Sequence, residues 1–311
     1  MQSVSQHETR MLLKIATLYY IGEKSQQEIS EIVGISRPQI SKMLDAAKKK
    51  GFVTFSIRDP YSEEHQYERT LTHQYGLLDA LVVDTKGDFV NQYLADEVTM
   101  LLNSAIKDGD IFGIMSGKTI GALGKQIGRI KRKNICVVPF VGGMTETLDG
   151  HEANDNAQRF SEVFKCQCYQ LNTPAFVSNA ALAEALLKEP MISRVLQIAK
   201  QSNVALVSIA SLYQSTDLAP DPVFQDIPDI HALRKHHAVA GLCGSFLDSN
   251  GDCVDFPGMT QIIGLKANDL KNIPKVIGIA MGEHKVEAIK AVLRGKWIDI
   301  LVTDLNTAKM L

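Results

Sequence analysis

Apolar side chains recur at helical spacing near the start of the chain. His7 to Tyr20 carries them three and four positions apart, which predicts an amphipathic helix that ends at Gly22. Two shorter helical patterns begin at Ser25 and Ser36, each with the S-x-x-[EQ] spacing of a capping box. Gly34 lies between them, where the chain must turn sharply. The pattern predicts three helices, of which the last two form a helix-turn-helix.

The two shorter helices have one apolar and one polar face. The facing apolar side chains are Ile29, Ile32 and Val33 on the first helix, and Ile35, Ile40, Met43 and Leu44 on the second. Polar side chains that can contact bases or phosphates remain outward on the second helix. We expect DNA contacts from Ser36, Arg37, Gln39, Ser41, Lys42, Lys48 and Lys49. The alternative is an ordinary helical hairpin with a solvated face.

The segment after these helices predicts a wing and a linker. Residues 52–57, FVTFSI, alternate apolar and polar side chains, so we expect a short strand that completes a winged helix-turn-helix over residues 1–58. Residues 59–75 are charged and helical, and they predict a linker helix that could pair with a second copy. DNA-binding proteins of this size usually dimerise to span two half-sites.

From Leu77 onward, strand-like apolar runs alternate with segments of helical length. Most of the runs are apolar throughout, which is typical of parallel strands buried on both faces. The pattern therefore predicts a Rossmann-like open α/β sheet over residues 76–311. The predicted strands are residues 80–84, 110–115, 135–141, 168–174, 204–210, 238–244, 275–280 and 299–304.

Glycine-rich loops follow three of these strands, at positions where open parallel sheets bind ligands. They are Gly113–Gly121, Gly142–Thr147 and Gly282–Lys285. The first loop departs from the P-loop pattern, because three residues rather than four separate Gly113 from Gly117. A nucleotide-responsive switch is therefore a minor alternative. A phosphate or polyol held by backbone amides, with Lys118, Thr119 and Lys285, fits these residues better.

Charge is distributed unevenly along the 311 residues, whose net charge is −2. Residues 1–58 carry a charge of +4 and the remainder −6, so only the N-terminal part is suited to a polyanion. No apolar run approaches the ~20 residues that span a bilayer, and no signal-peptide core precedes the first helix, so we expect a cytoplasmic protein without a membrane partner.

Metal, cofactor and catalytic sites are not expected. Cys166 and Cys168 form C-x-C without a second ligand pair, which favours packing over zinc binding. Asp248–Asp252 resembles a calcium loop, but Met259 occupies the position of the essential glutamate, so we expect a turn. No Ser/His/Asp set or close carboxylate pair can be assigned from spacing.

Several motifs resemble the SorC family of bacterial sugar-responsive transcription regulators, over nearly the whole chain. The N-terminal match is KIATLYY followed by SQQEISEIVGISRPQISKMLDAAKKKGFV. The later matches occur in the family's order: DGDIFGIMSGKTI, VVPFVGG, NVALVSIA, CGSFLDSNG and VIGIAMGEHKVEAIKAVLRGKWIDILVTDLNTAKML.

The resemblance implies an effector domain similar in fold to sugar-phosphate isomerases and deaminases but used for sensing, in an assembly that is commonly a tetramer. The recognition helix would be Ser36 to Lys50. The implied effector-binding residues are Ser116, Gly117, Lys118, Thr119, Gly143, Met144, Thr145, Glu283, His284 and Lys285.

Four positions depart from the family pattern. Ser116 replaces a common tryptophan, Gly241 a common acidic residue, and Met281 the first of two usual glycines. Val141 stands where a deoxyribose-phosphate-responsive relative has a lysine that bonds covalently to its sugar, so a Schiff base is not expected there.

The combined expectation is a DNA-binding regulator of a carbohydrate-metabolism operon. It would be a homotetramer or dimer that binds operator DNA and a sugar, polyol or sugar-phosphate effector, without a cofactor. The alternative is a sugar-phosphate isomerase or deaminase with a fused DNA-binding head.

Overall fold

A computed structural model describes residues 6–55, 61–87, 90–143, 152–214, 217–220, 233, 235–255 and 261–311. The chain divides into two compact units, residues 1–60 and residues 61–311. The first is helical in its described part, whereas the second combines helices with a parallel sheet.

Helices occur in the first unit where the apolar pattern predicted them. They are α1 (Gln6–Tyr20), α2 (Gln26–Val33) and α3 (Arg37–Lys49). The capping box at Ser25 is confirmed, because its hydroxyl accepts the Glu28 amide at 3.2 Å while the Glu28 carboxylate accepts the Ser25 amide at 2.8 Å. Gly34 ends α2 in the left-handed conformation with φ of 75°.

The predicted capping box at Ser36 is wrong, although Ser36 does precede α3. Its side chain makes no capping hydrogen bond. The Gln39 amide, which a capping side chain would bind, donates instead to the Ser36 carbonyl at 2.9 Å, and Pro38 has no amide to donate. Backbone bonding therefore replaces the side-chain cap at this turn.

Four fully or almost fully buried side chains form the centre of the first unit: Ile15, Ile29, Ile40 and Leu44. Val33, Ile35 and Met43 pack around them, as predicted. Ile32 is 50% exposed, so its predicted place in this apolar face is wrong. Only one side of the short helix α2 faces α1 and α3, and Ile32 falls outside that side.

The predicted wing strand is wrong over the part of it that is described. Residues 52–55 form a bend and irregular chain, and residues 56 and 57 lie outside the described ranges. Phe55 packs edge-on against Tyr20 instead, with ring centroids 5.4 Å apart. Aromatic packing rather than strand pairing therefore fixes the chain after α3.

The second unit contains a seven-stranded parallel sheet, as judged over its described residues. Strand order is β1-β12-β11-β5-β2-β3-β4, and every neighbouring pair is parallel. The strands of the described residues, numbered along the chain, include some that lie outside this sheet. They are β1 (Asp79–Val83), β2 (Ile111–Ile114), β3 (Cys136–Pro139), β4 (Gln167–Cys168), β5 (Val204–Ser208), β6 (Ala210–Ser211), β7 (Tyr213–Gln214), β8 (Asp217–Pro220), β9 (Ala238–Leu242), β10 (Ser245–Asp248), β11 (Lys275–Ile279) and β12 (Ile300–Asp304).

Helices follow most of the parallel strands, which confirms the predicted open α/β architecture. They are α4 (Ser62–Tyr75), α5 (Gln92–Ala105), α6 (Lys118–Gly124), α7 (Ala153–Phe164), α8 (Ala180–Lys188), α9 (Pro190–Lys200), α10 (Ala267–Leu270), α11 (Val286–Arg294) and α12 (Leu305–Ala308). The central strand β5 is completely buried at Ala205, Leu206 and Val207. Its continuous apolar run is explained by this burial on both faces.

Two predicted strands differ from the structure. Residues 238–244 contain β9, but it belongs to a separate antiparallel sheet of order β10-β9-β6. Cys243 and Gly244 have φ of 42° and 61°, which suits the tight two-residue turn between β9 and β10. Within residues 168–174, only Cys168 belongs to a strand, because Thr173 bonds instead to the loop after β3 through the Gly143 amide.

The outer edge of β1 is closed by carboxylates, two of them from α4. Helix α4 packs against this strand and buries Leu71. Burial is the main reason that the pKa of Glu68 is raised. Three alternate backbone amides along this edge each donate to a carboxylate. Ala80 donates to Asp79 at 2.9 Å, Val82 to Glu68 at 3.0 Å and Asp84 to Glu64 at 2.7 Å.

Candidate functional site

The outward face of α3 carries the side chains predicted to contact DNA. Ser41 is half-buried, whereas the other six are exposed. The exposed side chains are Ser36, Arg37, Gln39, Lys42, Lys48 and Lys49. Their exposure leaves polar groups along the length of the helix available to a partner.

The three lysines at the end of α3 differ in their surroundings. The Lys48 ammonium lies 5.5 Å from the centre of the Phe55 ring and 5.9 Å from that of Tyr20, a cation–π arrangement. Lys50 forms an ion pair with Glu8 at 3.8 Å. No such contact involves Lys49 among the described residues, so its ammonium group is the most available of the three.

Two of the predicted ligand loops meet beside the carboxyl end of β5. The Ser208 hydroxyl donates to the Ser116 carbonyl at 2.7 Å, which fixes the loop after β2. The Lys285 ammonium donates to the Ile209 carbonyl at 3.1 Å, which fixes the loop after β11. The two loops lie close together because β2 and β11 are the two neighbours of β5 in the sheet.

The loop after β2 approaches β5 closely at Gly117. Its φ is 144°, and a Cβ atom placed there would lie 2.9 Å from the Ser208 Cβ atom. Lys118 is exposed at the start of α6, whereas Thr119 is only 3% exposed. The sequence predicted both side chains to contact the ligand, and Lys118 is the more accessible of the two.

The loop after β3 is held by two other backbone segments. The Gly143 amide donates to the Thr173 carbonyl at 2.9 Å, and the Ala175 amide donates to the Gly143 carbonyl at 2.6 Å. A Cβ atom at Gly142 would lie 2.3 Å from the Thr173 oxygen, so this packing requires glycine. The predicted site residues Met144 and Thr145 lie outside the described residues.

The loop after β11 is a short 3₁₀ turn, Glu283–Lys285, that leads into α11. Glu283 and His284 are exposed, and Lys285 is half-buried. The Gly282 amide before this turn donates to two oxygens, Asp304 Oδ2 at 3.0 Å and Thr307 Oγ1 at 2.8 Å. The loop is therefore fixed at both ends by hydrogen bonds.

Sequence reasoning did not single out Asp304 and Thr307, which hold Gly282. Asp304 ends β12 and caps α12, accepting the Thr307 amide at 2.9 Å. A usable sequence pattern was present, because Asp304-x-x-Thr307 directly follows a buried strand and has helix-capping spacing. The contact with Gly282 could not be inferred from that pattern alone.

The cysteines near β3 and β4 are poorly suited to metal binding. Burial is the main reason that the pKa of Cys166 is raised to about 11 and that the pKa values of Cys136 and Cys168 are also raised. Within the described ranges, no cluster of three His, Cys, Asp or Glu residues could hold a metal ion. These thiols remain protonated near neutral pH.

The acidic segment between β10 and Cys253 forms a turn, as predicted. One Asp248 carboxylate oxygen accepts the Asn250 amide at 2.8 Å and the Asp252 amide at 3.0 Å. Asp248 and Asp252 are also joined through their backbones at 3.0 Å. The Asp248 carboxylate therefore supports the turn itself.

Residues 59–311 match the sugar-binding domain family, Sugar-bind, which covers most of the chain. The chain belongs to the SorC family of sugar-responsive transcriptional regulators. This SorC-family chain is 29% identical over 313 residues to the deoxyribonucleoside regulator of Bacillus subtilis, with 99% of each chain covered. It is 27% identical over 318 residues to the sorbitol operon regulator of Klebsiella pneumoniae, with 98% of each covered.

A solved structure shares this architecture over the full chain. The full-length sorbitol operon regulator SorC from Klebsiella pneumoniae matches with a TM-score of 0.75 at 26% identity. The match covers 98% of this chain and 99% of that one. This match confirms the predicted mixed α/β fold with a mostly parallel sheet.

These comparisons establish a transcriptional regulator rather than an enzyme, which confirms the main prediction from sequence. The alternative of an isomerase or deaminase with a fused DNA-binding head is not supported.

Across the described parts of this SorC-family chain, no helix has both the length and the apolar character needed to cross a membrane.

Proposed function

We propose that α3 binds operator DNA and that the loops beside the end of β5 bind a sugar, polyol or sugar phosphate that changes operator affinity. The observation that carries the proposal is the meeting of the Ser116–Gly117 and Gly282–Lys285 loops beside β5, within a sugar-binding domain. Ligands of open parallel sheets bind outside the carboxyl ends of the strands, which is where these loops lie.

The chemistry of these loops suits a polyhydroxylated ligand with or without a phosphate. Lys285 contributes N–H donors and a positive charge, which suit phosphate and hydroxyl oxygens alike. Exposed Lys118, Glu283 and His284 add further polar groups at the same edge. The proposed effector site consists of Ser116, Gly117, Lys118, Thr119, Gly143, Met144, Thr145, Glu283, His284 and Lys285.

A thermal-shift screen of the full chain against sugars, polyols and their phosphates tests the effector site. A compound at 100 times its dissociation constant should stabilise the chain by ~2.7 kcal/mol. We expect Lys285→Met, which keeps the aliphatic stem, to abolish stabilisation by the compounds that act on the wild type. The control is Lys188→Met, at the exposed end of α8.

The identity of the stabilising compounds decides the role of charge. Stabilisation by phosphorylated compounds alone would support an anion site at Lys285. Stabilisation by free sugars or polyols that is undiminished in Lys285→Met would contradict an anion site. The role of Lys285 would then be structural, through its hydrogen bond to the Ile209 carbonyl.

Operator binding tests the role of α3. Arg37→Ala should weaken binding by ~1 to 3 kcal/mol and relax the sequence preference at one position if Arg37 contacts a base. Lys49→Ala should weaken binding to all sequences and reduce the salt slope by about 1, as expected for a phosphate contact. Fluorescence anisotropy over a range of salt concentrations measures both, with Lys188→Ala as control. An unchanged affinity in Arg37→Ala would remove this residue from the proposed interface.

A homodimer or homotetramer in the cytoplasm is part of the same proposal. DNA-binding proteins of this kind span two half-sites by pairing copies. The effector then changes operator affinity only by as much as it binds one arrangement better than another, ~1 to 3 kcal/mol or roughly 5 to 150-fold. Sedimentation of the full chain, alone and with operator DNA, measures the number of copies.

A further inference from the structure

The side chains of Asp304 and Thr307 are hydrogen-bonded to each other and to the backbone of the loop after β11. Thr307 is fully buried and Asp304 is 9% exposed. The Thr307 hydroxyl donates to Asp304 Oδ2 in a short hydrogen bond, and both oxygens accept the Gly282 amide. Because the donor and both acceptors are part-buried or buried, loss of either side chain leaves polar groups without full compensation.

The four-residue helix α12 carries Thr307 and follows directly on Asp304, the last residue of β12. It packs against the Glu283–Lys285 turn on the effector side and against α4 and β1 elsewhere. Directly after it, the Lys309 ammonium lies 2.7 Å from the Glu63 carboxylate in the first turn of α4. The Tyr75 hydroxyl, in the last turn of α4, donates to the Leu311 carbonyl at 3.0 Å. Residues 304–311 are thus bonded to both ends of α4.

Helix α4 is also the first element of the second unit after residue 60. It is therefore the element of the second unit that lies nearest in sequence to the first unit. An ion pair as exposed as Lys309–Glu63 contributes little stability by itself. It is one of three kinds of contact that residues 304–311 make with α4, beside the packing of α12 and the Tyr75–Leu311 hydrogen bond.

We propose that Asp304 and Thr307 are positioning residues of the effector loop and that residues 304–311 couple the state of Gly282–Lys285 to α4. This inference rests on the proposed effector site and names the contacts that join its loop after β11 to α4. At one end of the connection, Asp304 and Thr307 hold the Gly282 amide. At the other end, the packing of α12, the Lys309–Glu63 ion pair and the Tyr75–Leu311 hydrogen bond hold α4.

Hydrogen exchange of the full chain, followed by mass spectrometry, tests this connection without ligand or DNA. Thr307→Val keeps the shape of the side chain but removes both hydrogen bonds of its hydroxyl. We expect exchange of residues 282–286 to rise about tenfold, and exchange of residues 62–75 to rise with it. Thr307→Ser keeps the hydroxyl and should restore protection in both segments.

The matched control is Thr99→Val in α5. Thr99 also accepts a glycine amide through its hydroxyl, that of Gly128 at 2.9 Å. The control should raise exchange near residue 128 and leave residues 282–286 and 62–75 unchanged. An equal effect of the control on α4 would mean that general destabilisation, not coupling, loosens that helix.

Adding Glu63→Gln to Thr307→Val separates the two ends of the connection. In this double variant, Thr307→Val should still loosen residues 282–286 but should raise the exchange of α4 by less than it does with Glu63 present, because only the packing of α12 and the Tyr75–Leu311 hydrogen bond then remain. Unchanged protection of residues 282–286 in Thr307→Val would overturn the positioning role, and unchanged α4 would overturn the coupling. Because neither DNA nor effector is present, both outcomes are distinct from a failure of the proposed function.

Discussion

Lys266 places an ammonium group in a mostly buried position beside the β9–β10 turn. It donates to the Ile262 carbonyl at 3.2 Å and lies 3.5 Å from the Gly244 carbonyl. Burial disfavours its charged form and lowers its pKa to about 8, whereas the neighbouring Cys243 and Asp269 act in the opposite direction. The charge of this one side chain should therefore change over a pH range in which ordinary lysines stay protonated.

The contribution of Lys266 to stability should rise with pH as this side chain loses its proton. Between about pH 8 and its ordinary pKa of 10.5, the unfolded chain binds a proton at this lysine that the folded chain has released. Its contribution to the free energy of unfolding should then increase by about 1.4 kcal/mol per pH unit in that window. Urea unfolding at pH 8, 9 and 10 measures the slope of the unfolding free energy with pH, which should be lower in Lys266→Met than in wild type by this amount. The buried thiols, whose pKa values are raised, contribute in the opposite direction in both proteins and cancel in the comparison. Parallel slopes would contradict the lowered pKa.

At the scale of elements, two serines that look alike in sequence cap their helices differently. Ser25→Ala should cost about 1 kcal/mol, because it removes the side-chain half of a complete capping box. Ser36→Ala should cost much less, since the cap of α3 uses backbone groups. Urea unfolding of the two variants provides the comparison. Equal losses would show that the Ser36 hydroxyl also caps its helix.

Ser36→Ala also offers a clean test of DNA contact. Since this substitution should leave α3 intact, a loss of operator affinity would report the hydroxyl itself rather than a frayed helix. Ser25→Ala would not distinguish these effects, because it weakens the helix that packs against α3.

The strand predictions succeeded where an apolar run is buried on both faces and failed where the pattern has more than one explanation. The run in β5 predicted a parallel strand correctly, since all of its central side chains are buried. The run in β9 looks the same but pairs with β10 across a two-residue turn. The spacing and composition of the apolar residues indicate how far a strand is buried. Which strand it pairs with depends on the turn that follows.

At the scale of the whole molecule, the location of the candidate site was more predictable than its connections. Parallel strands place their carboxyl ends at one edge, so glycine-rich loops after β2 and β11 could be assigned to that edge from the sequence. Their meeting beside Ser208 depends on strand order, which arises from long-range pairing and leaves no local pattern. The hydrogen bonds from Gly282 to Asp304 and Thr307 depend on the same pairing, because they join the loop after β11 to the end of β12 and to α12.

The carboxylates along β1 have a consequence for the behaviour of the protein at high concentration. An exposed edge strand offers unpaired amides to any other chain, which is the usual start of strand-mediated aggregation. Here Asp79, Glu68 and Glu64 already accept the amides of Ala80, Val82 and Asp84, and α4, which carries the two glutamates, packs against the strand. Where these side chains hold the amides of residues 80, 82 and 84, this edge of the sheet is not available for strand pairing with another chain, even at high concentration.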